Sequence, residues 1–123
     1  MSATLVSGGG EVICSDLTIA DRPRTRMRGL LGRDSLNEGE GMLLRPAGSV
    51  HTAFMRFEID VVYLDRRHRV IGVVHELRPW RMSGRRGARA VVELPAGEAR
   101  RRRIEAGATL AVLAGTAPSA DGR

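Results

Sequence analysis

Six residues carry side chains suited to binding or acid–base work and fall close enough in the chain to share a site: His51, Met55, Arg56, Asp60, Trp80 and Glu93. Arg56 offers a planar guanidinium that grips a carboxylate or phosphate through two parallel hydrogen bonds. Asp60 and Glu93 can accept hydrogen bonds. They can also form an acid/base pair, provided both carboxyls face one cavity about 5 to 10 Å apart. Trp80 can cover an apolar ligand. His51 and Met55 stand four residues apart, on one face of an extended strand, where imidazole and thioether suit a soft metal such as Cu(I). Two ligands do not make a site, and a third would have to come from Cys14, His75 or Met42, so neither metal nor cofactor is expected. The plain structural alternative is that Asp60 caps a strand bend, Arg56 pairs with it and Trp80 plugs the end of a barrel.

Other chemistries find less support. Cys14 is the only cysteine, which removes any intramolecular disulfide and any paired-cysteine zinc site. As a nucleophile it would need a histidine brought beside it by the fold. Ser7-Gly8-Gly9-Gly10 lacks the Gly-Lys-Ser/Thr ending of a phosphate loop. The net charge is +6 and every one of the 20 basic residues is arginine, a bias that attracts polyanions in general without naming one. Arg100 to Arg103 run consecutively, and helical steps of about 100° spread such a run around the whole circumference. At least one of the four must therefore lay its stem along the protein. Arg85, Arg86 and Arg89 add a second basic patch. With only Phe54, Phe57, Tyr63 and Trp80 as aromatics and no recognition motif, nucleic acid is not the expected partner.

The elements that must position these residues follow from composition and periodicity. A chain of 123 residues, 42% of them hydrophobic, suits one domain with one real core. Residues 1–10, polar and Gly-rich, suggest a flexible lead. Residues 11–115 form the domain, and residues 116–123 a disordered tail. Val12 to Ile19 has strand composition. Asp21-Arg22-Pro23 signals a helix start, Met27, Leu30 and Leu31 share one helical face, and Gly32 can end that helix. Met42 to Leu44 forms a short buried strand. Apolar residues alternate from Val50 to Met55 and from Phe57 to Leu64, which predicts strands with a bend near Arg56–Glu58. Val70 to Val74 completes a hairpin, and Arg78 to Gly87 is a loop. A strand over 90–94, a short helix over 95–106 and a last strand over 109–113 follow. Short turns between successive strands favour antiparallel pairing. The expected fold is α+β and β-dominated: a compact antiparallel β-barrel or sandwich with two short helices packed outside.

Three stretches carry a family likeness: Arg28-Gly29-Leu30-Leu31-Gly32-Arg33 with Leu36 and Gly41 to Leu44, the run His51 to Asp65, and Val92-Glu93-Leu94-Pro95-Ala96-Gly97. Together with Pro79-Trp80-Arg81, they resemble the domain of unknown function 192 family, also called uncharacterised protein family 0127. The likeness runs from about Leu17 to Leu113. It implies a β-barrel-like or sandwich domain and supplies no activity. Glu58 stands where the family usually has proline, and Ala108 follows Gly107 where it usually has aspartate. Many relatives carry an export signal. The polar start of this chain resembles none, so a cytoplasmic location is expected, and no apolar run approaches the roughly 18 residues of a membrane helix.

The leading functional expectation is a noncatalytic binding or accessory domain. Its pocket, around Arg56, Asp60 and Trp80, would hold a small anionic molecule or a peptide segment. One alternative is a hydrolase or carbohydrate-acting enzyme using Asp60 and Glu93. Another is a basic interaction module for an acidic partner protein.

Overall fold

The structure, a computed structural model, describes residues 2–115. Nine strands and two short helices follow in the order β1 (Ser2–Ser7), β2 (Val12–Ala20), α1 (Pro23–Arg28), β3 (Glu40–Leu44), β4 (Ser49–His51), β5 (Ile59–Leu64), β6 (Val70–Leu77), β7 (Met82–Gly84), β8 (Ala90–Pro95), α2 (Glu98–Arg101) and β9 (Leu110–Ala114). Seven of the strands form one sheet in the order β6-β5-β8-β3-β2-β1-β9, while β4 and β7 pair separately as a two-stranded ribbon. The large sheet curls into a half-barrel. Its two edge strands meet at one end, where Arg69 bridges to Thr109 and Val70 N–H donates to Ala108 O at 2.7 Å. The fold is β-dominated α+β, as the periodicity implies.

All pairings in the large sheet are antiparallel except β2 with β3, which run parallel with Thr18 opposite Met42. A parallel pair needs a crossover, and residues 21–39, which include α1, supply it. The helix starts at Pro23 and is capped by Arg22, not by Asp21. Thr25 closes its first turn, its hydroxyl accepting from Arg22 N–H at 3.2 Å and donating to Arg22 O at 2.9 Å. It ends early, at Gly29, whose φ of 48° is costly for a residue bearing a Cβ.

The three strands at the middle of the large sheet are buried on both faces. From β3, β5 and β8, the residues Leu43, Val62, Leu64, Ala90, Val92 and Leu94 join one apolar cluster, with Leu5, Leu17 and Ile19. Met42, Leu44, Ile59, Val61, Tyr63 and Val91 join a second cluster on the opposite face, with Leu30, Val50 and Met55. α2 closes over the first cluster through Ala99 and Ile104. The segment after α1 and the β4–β7 ribbon cover the second.

Four expectations need correction. The supposed flexible lead forms β1, whose residues Ala3 to Val6 are buried between β2 and β9. The alternation from Val50 to Leu64 is interrupted, because residues 52–58 form a loop held by Thr52. The helix over 95–106 shrinks to Glu98–Arg101, and the loop 78–87 contains β7. The tail over 116–123 lies outside the described residues.

Candidate functional site

In an antiparallel pair, residues directly opposite share a face. Glu93 lies opposite Val61, and Asp60 lies opposite Leu94. The two carboxyls therefore project from opposite faces of the sheet, Glu93 among the second cluster and Asp60 among the first. They cannot serve one cavity, which removes the acid/base pair and the enzyme built on it.

Asp60 is fully buried, and its two oxygens are committed. Oδ1 accepts from Glu76 N–H and Oδ2 from Ala99 N–H, both at 2.8 Å. It thus ties β5 to the irregular end of β6 and to the first turn of α2, close to the bend-capping role weighed above. Arg56 does not pair with it. Its guanidinium meets Asp34 at 2.6 Å, with both side chains mostly in solvent, an arrangement worth little. Trp80 is neither a plug nor a lid over Asp60. It is 60% exposed and packs on Phe54, with ring centroids 4.6 Å apart and planes tilted by 59°. The pocket expected around Arg56, Asp60 and Trp80 does not form.

A different cleft forms around Glu93. Its lining includes Arg26, Arg28, Leu30, His51, Met55 and Glu93, so three of the six candidates meet after all. The cleft has a volume of about 90 Å³, room for roughly three waters at about 30 Å³ each and far less than a drug-sized pocket of about 300 Å³ or more. β8 delivers Glu93 to it as the one charged residue in the run Ala90-Val91-Val92-Glu93-Leu94. Glu93 is 4% exposed, and among the described residues its carboxyl takes part in no hydrogen bond or ion pair, which leaves its oxygens to the cleft. Burial alone pushes its pKa up from 4.5 to about 7. Arg26 is partly engaged, donating to Asp21 O and Arg45 O at 3.3 and 3.4 Å. Arg28 is exposed and has no ion pair among the described residues. Tyr63 stands on the same face of the sheet. Burial raises its phenol, while its hydrogen bond to Ser83 at 2.6 Å and the charge of Arg85 act the other way.

Thr52 sets the wall beside this cleft. Its buried hydroxyl donates to Arg78 O at 2.6 Å and accepts from Arg81 N–H at 2.8 Å, and its carbonyl accepts from Trp80 N–H at 3.0 Å. Phe54 and Trp80 are thereby held at φ of 64° and 65°, a region bulky residues rarely enter. Met55 leaves the loop to line the cleft, and His51 reaches the lining from β4. They do not share a strand face as the spacing suggests, because Met55 lies beyond the end of β4. Cys14 and His75, offered as further metal ligands, lie elsewhere: Cys14 is in the first cluster, and His75 lines a cleft beside α2. Among the described residues, no group of three or more His, Cys, Asp or Glu side chains is placed to hold a metal. Arg28 and Thr52 were not singled out by residue type. The only sign of Arg28 is its place in the Arg28-Gly29-Leu30-Leu31 stretch.

A half-barrel of mainly antiparallel strands with two short helices places the chain among small, β-dominated α+β domains. Residues 4–112 match the DUF192 family, described as an uncharacterized ACR, and the chain belongs to that family. It is 33% identical over 93 residues to a UPF0127 protein of Thermococcus sibiricus, the match covering 72% of this chain and 60% of that one. The chain thus spans about three fifths of that relative's length. Two solved structures share the fold. One is a protein of unknown function from Novosphingobium aromaticivorans, with TM-score 0.77 and 21% identity over 90% of this chain and 84% of that one. The other, described as a putative transcription regulator from Sinorhizobium meliloti, has TM-score 0.78 and 19% identity over 90% and 92% of the two chains. At such identities the likeness is one of fold.

Proposed function

We propose that the chain is a noncatalytic binding module whose Glu93 cleft holds a small anionic group, presented by a free organic acid or by the end of a peptide. The observation that carries this reading is a buried carboxyl without a partner, facing a cleft whose other charged or titratable members are Arg26, Arg28 and His51. Arg26 and Arg28 outnumber the one carboxylate of the lining even when Glu93 is ionised, and its protonation raises that positive balance and makes Glu93 a hydrogen-bond donor. Arg28 supplies a planar fork that matches a carboxylate. The volume suits one such group and not a cofactor.

Binding of small carboxylates, such as acetate and succinate, should strengthen as pH falls through 7, because the anion is best received by protonated Glu93. Glu93→Gln should keep the binding and flatten its pH dependence. Arg28→Ala should weaken it roughly tenfold, the loss of one charge-assisted hydrogen bond. Calorimetric titrations across pH 5.5 to 8.5 decide the matter. Preferential binding of small amines, strengthening above pH 7 and lost in Glu93→Gln, would refute the anionic reading.

A further inference from the structure

The run Arg100 to Arg103 divides into two pairs. Arg101 and Arg102 are absorbed by carboxylates. Arg101 meets Glu38 at 3.2 Å and Glu98 at 3.5 Å, and Arg102 meets Glu98 through Nε at 2.8 Å. Arg102 is the one whose stem lies along the protein. Its side chain is 26% exposed and reaches Val12 O. Arg100 and Arg103 have no ion pair or side-chain hydrogen bond among the described residues. Arg100 belongs to α2 and Arg103 lies just past its end, and both line the same cleft with His75, Ala99, Ile104 and Glu105.

That cleft has a volume of about 400 Å³, within the range of small-molecule sites. It belongs to the α2 side of the sheet and is separate from the Glu93 cleft. The backbone holds its basic members firmly. Arg102 N–H donates to Glu98 O at 2.9 Å and Ile104 N–H to Ala99 O at 2.8 Å, which closes the turn around Arg103. Arg103 sits there at φ of 55°, where glycine would be at ease and an arginine is strained. His75 adds an imidazole to the lining, and its Nδ1 is buried without a hydrogen-bond partner. Glu105 is the only carboxylate in the lining, so two guanidinium groups and an imidazole stand beside a single negative charge.

We propose that this cleft binds a small-molecule phosphate monoester, its phosphoryl oxygens held by Arg100 and Arg103 beside His75 of β6. Arginine forks match phosphate geometry, and Arg100 and Arg103 outweigh the single carboxylate of Glu105, so the lining attracts an anion. Titration of the full chain, followed by amide and side-chain NMR, tests it with inorganic phosphate and glycerol 3-phosphate as probes. Saturable shifts at His75 and at residues 99–105 are expected with both. Arg100→Gln and Arg103→Gln should each weaken binding at least about tenfold, the loss of one charge-assisted contact. Arg101→Gln, which removes an ion-paired neighbour, should leave it within about twofold, as expected of an exposed pair. Absence of saturation at millimolar concentrations, or equal binding in Arg100→Gln and Arg103→Gln, overturns the proposal. So does binding of an oligonucleotide while both small phosphates stay silent.

Discussion

Glu93→Gln should make this protein more stable at neutral and alkaline pH, although it removes a charged residue from a buried strand. Below pH 4.5 Glu93 is protonated in both the folded and unfolded chain, and glutamine is close to it in shape and polarity. Between 4.5 and about 7 the folded chain keeps a proton that the unfolded chain has already released. The native state binds more protons over that interval, so stability falls as pH rises through it. At about 1.4 kcal/mol per pH unit, unfolding becomes easier by about 3 kcal/mol once Glu93 is ionised in both states. Glutamine has no such term. The advantage of Glu93→Gln over the parent should therefore be close to nil near pH 4.5, grow through pH 6 and level off above 7. Urea unfolding of both proteins in parallel at half-unit pH steps isolates this one group, because every other titration is shared and cancels in the difference. A difference that stays flat from pH 4.5 to 8 would refute the reasoning and show that the carboxyl is solvated or paired.

Two further outcomes follow from the same geometry. Asp60→Ala should cost about 3 to 6 kcal/mol, since two buried bonds to a carboxyl acceptor are lost at about 1.5 to 3 kcal/mol each. Denaturant midpoints read this directly, and a loss under about 1 kcal/mol would show that Asp60 is not the tie between β5, β6 and α2. Cys14 is buried, and burial pushes its thiol up to about 11. Its reaction with a disulfide reagent at pH 8 should therefore be slow in the native protein and quick in denaturant. Equal rates would show that the first cluster opens readily.

The large sheet was legible where apolar runs are dense. Val61 to Leu64 and Ala90 to Leu94 are buried on both faces, so no competing pattern obscured them, and the β5–β6 hairpin followed from its polar turn. β1 was hidden because Ser2, Ala3 and Thr4 look like linker and Ser7 to Gly10 like more of it. Its burial comes from β2 and β9, and the latter pairing spans more than a hundred residues. The site was half legible. Of the six candidates, His51, Met55 and Glu93 come together at one cleft. Asp60 was grouped with them by nearness in the chain, although strand alternation sets it on the face opposite Ile59 and Val61. No local pattern announces Thr52, whose hydroxyl and carbonyl together serve three backbone partners. Parity within β5 separates Asp60 from Val61. Counted from Glu93 on β8 against Val61 on β5, it settles which carboxyl faces which cluster.

The antiparallel pairing of β1 with β9, with Ala3 opposite Ala114, bears on how the chain is made. A ribosome delivers Ser2–Ser7 more than a hundred residues before Leu110–Ala114. Until β9 arrives, one side of β1 offers open hydrogen-bonding groups to whatever comes near. The sheet can gather through β2, β3, β5 and β8 while synthesis proceeds, but the β1 side is covered only once β9 has been made. A nascent chain stalled anywhere between Gly8 and Leu110 would thus carry an adhesive strand, and that exposed strand is where co-translational chaperones would be expected to act.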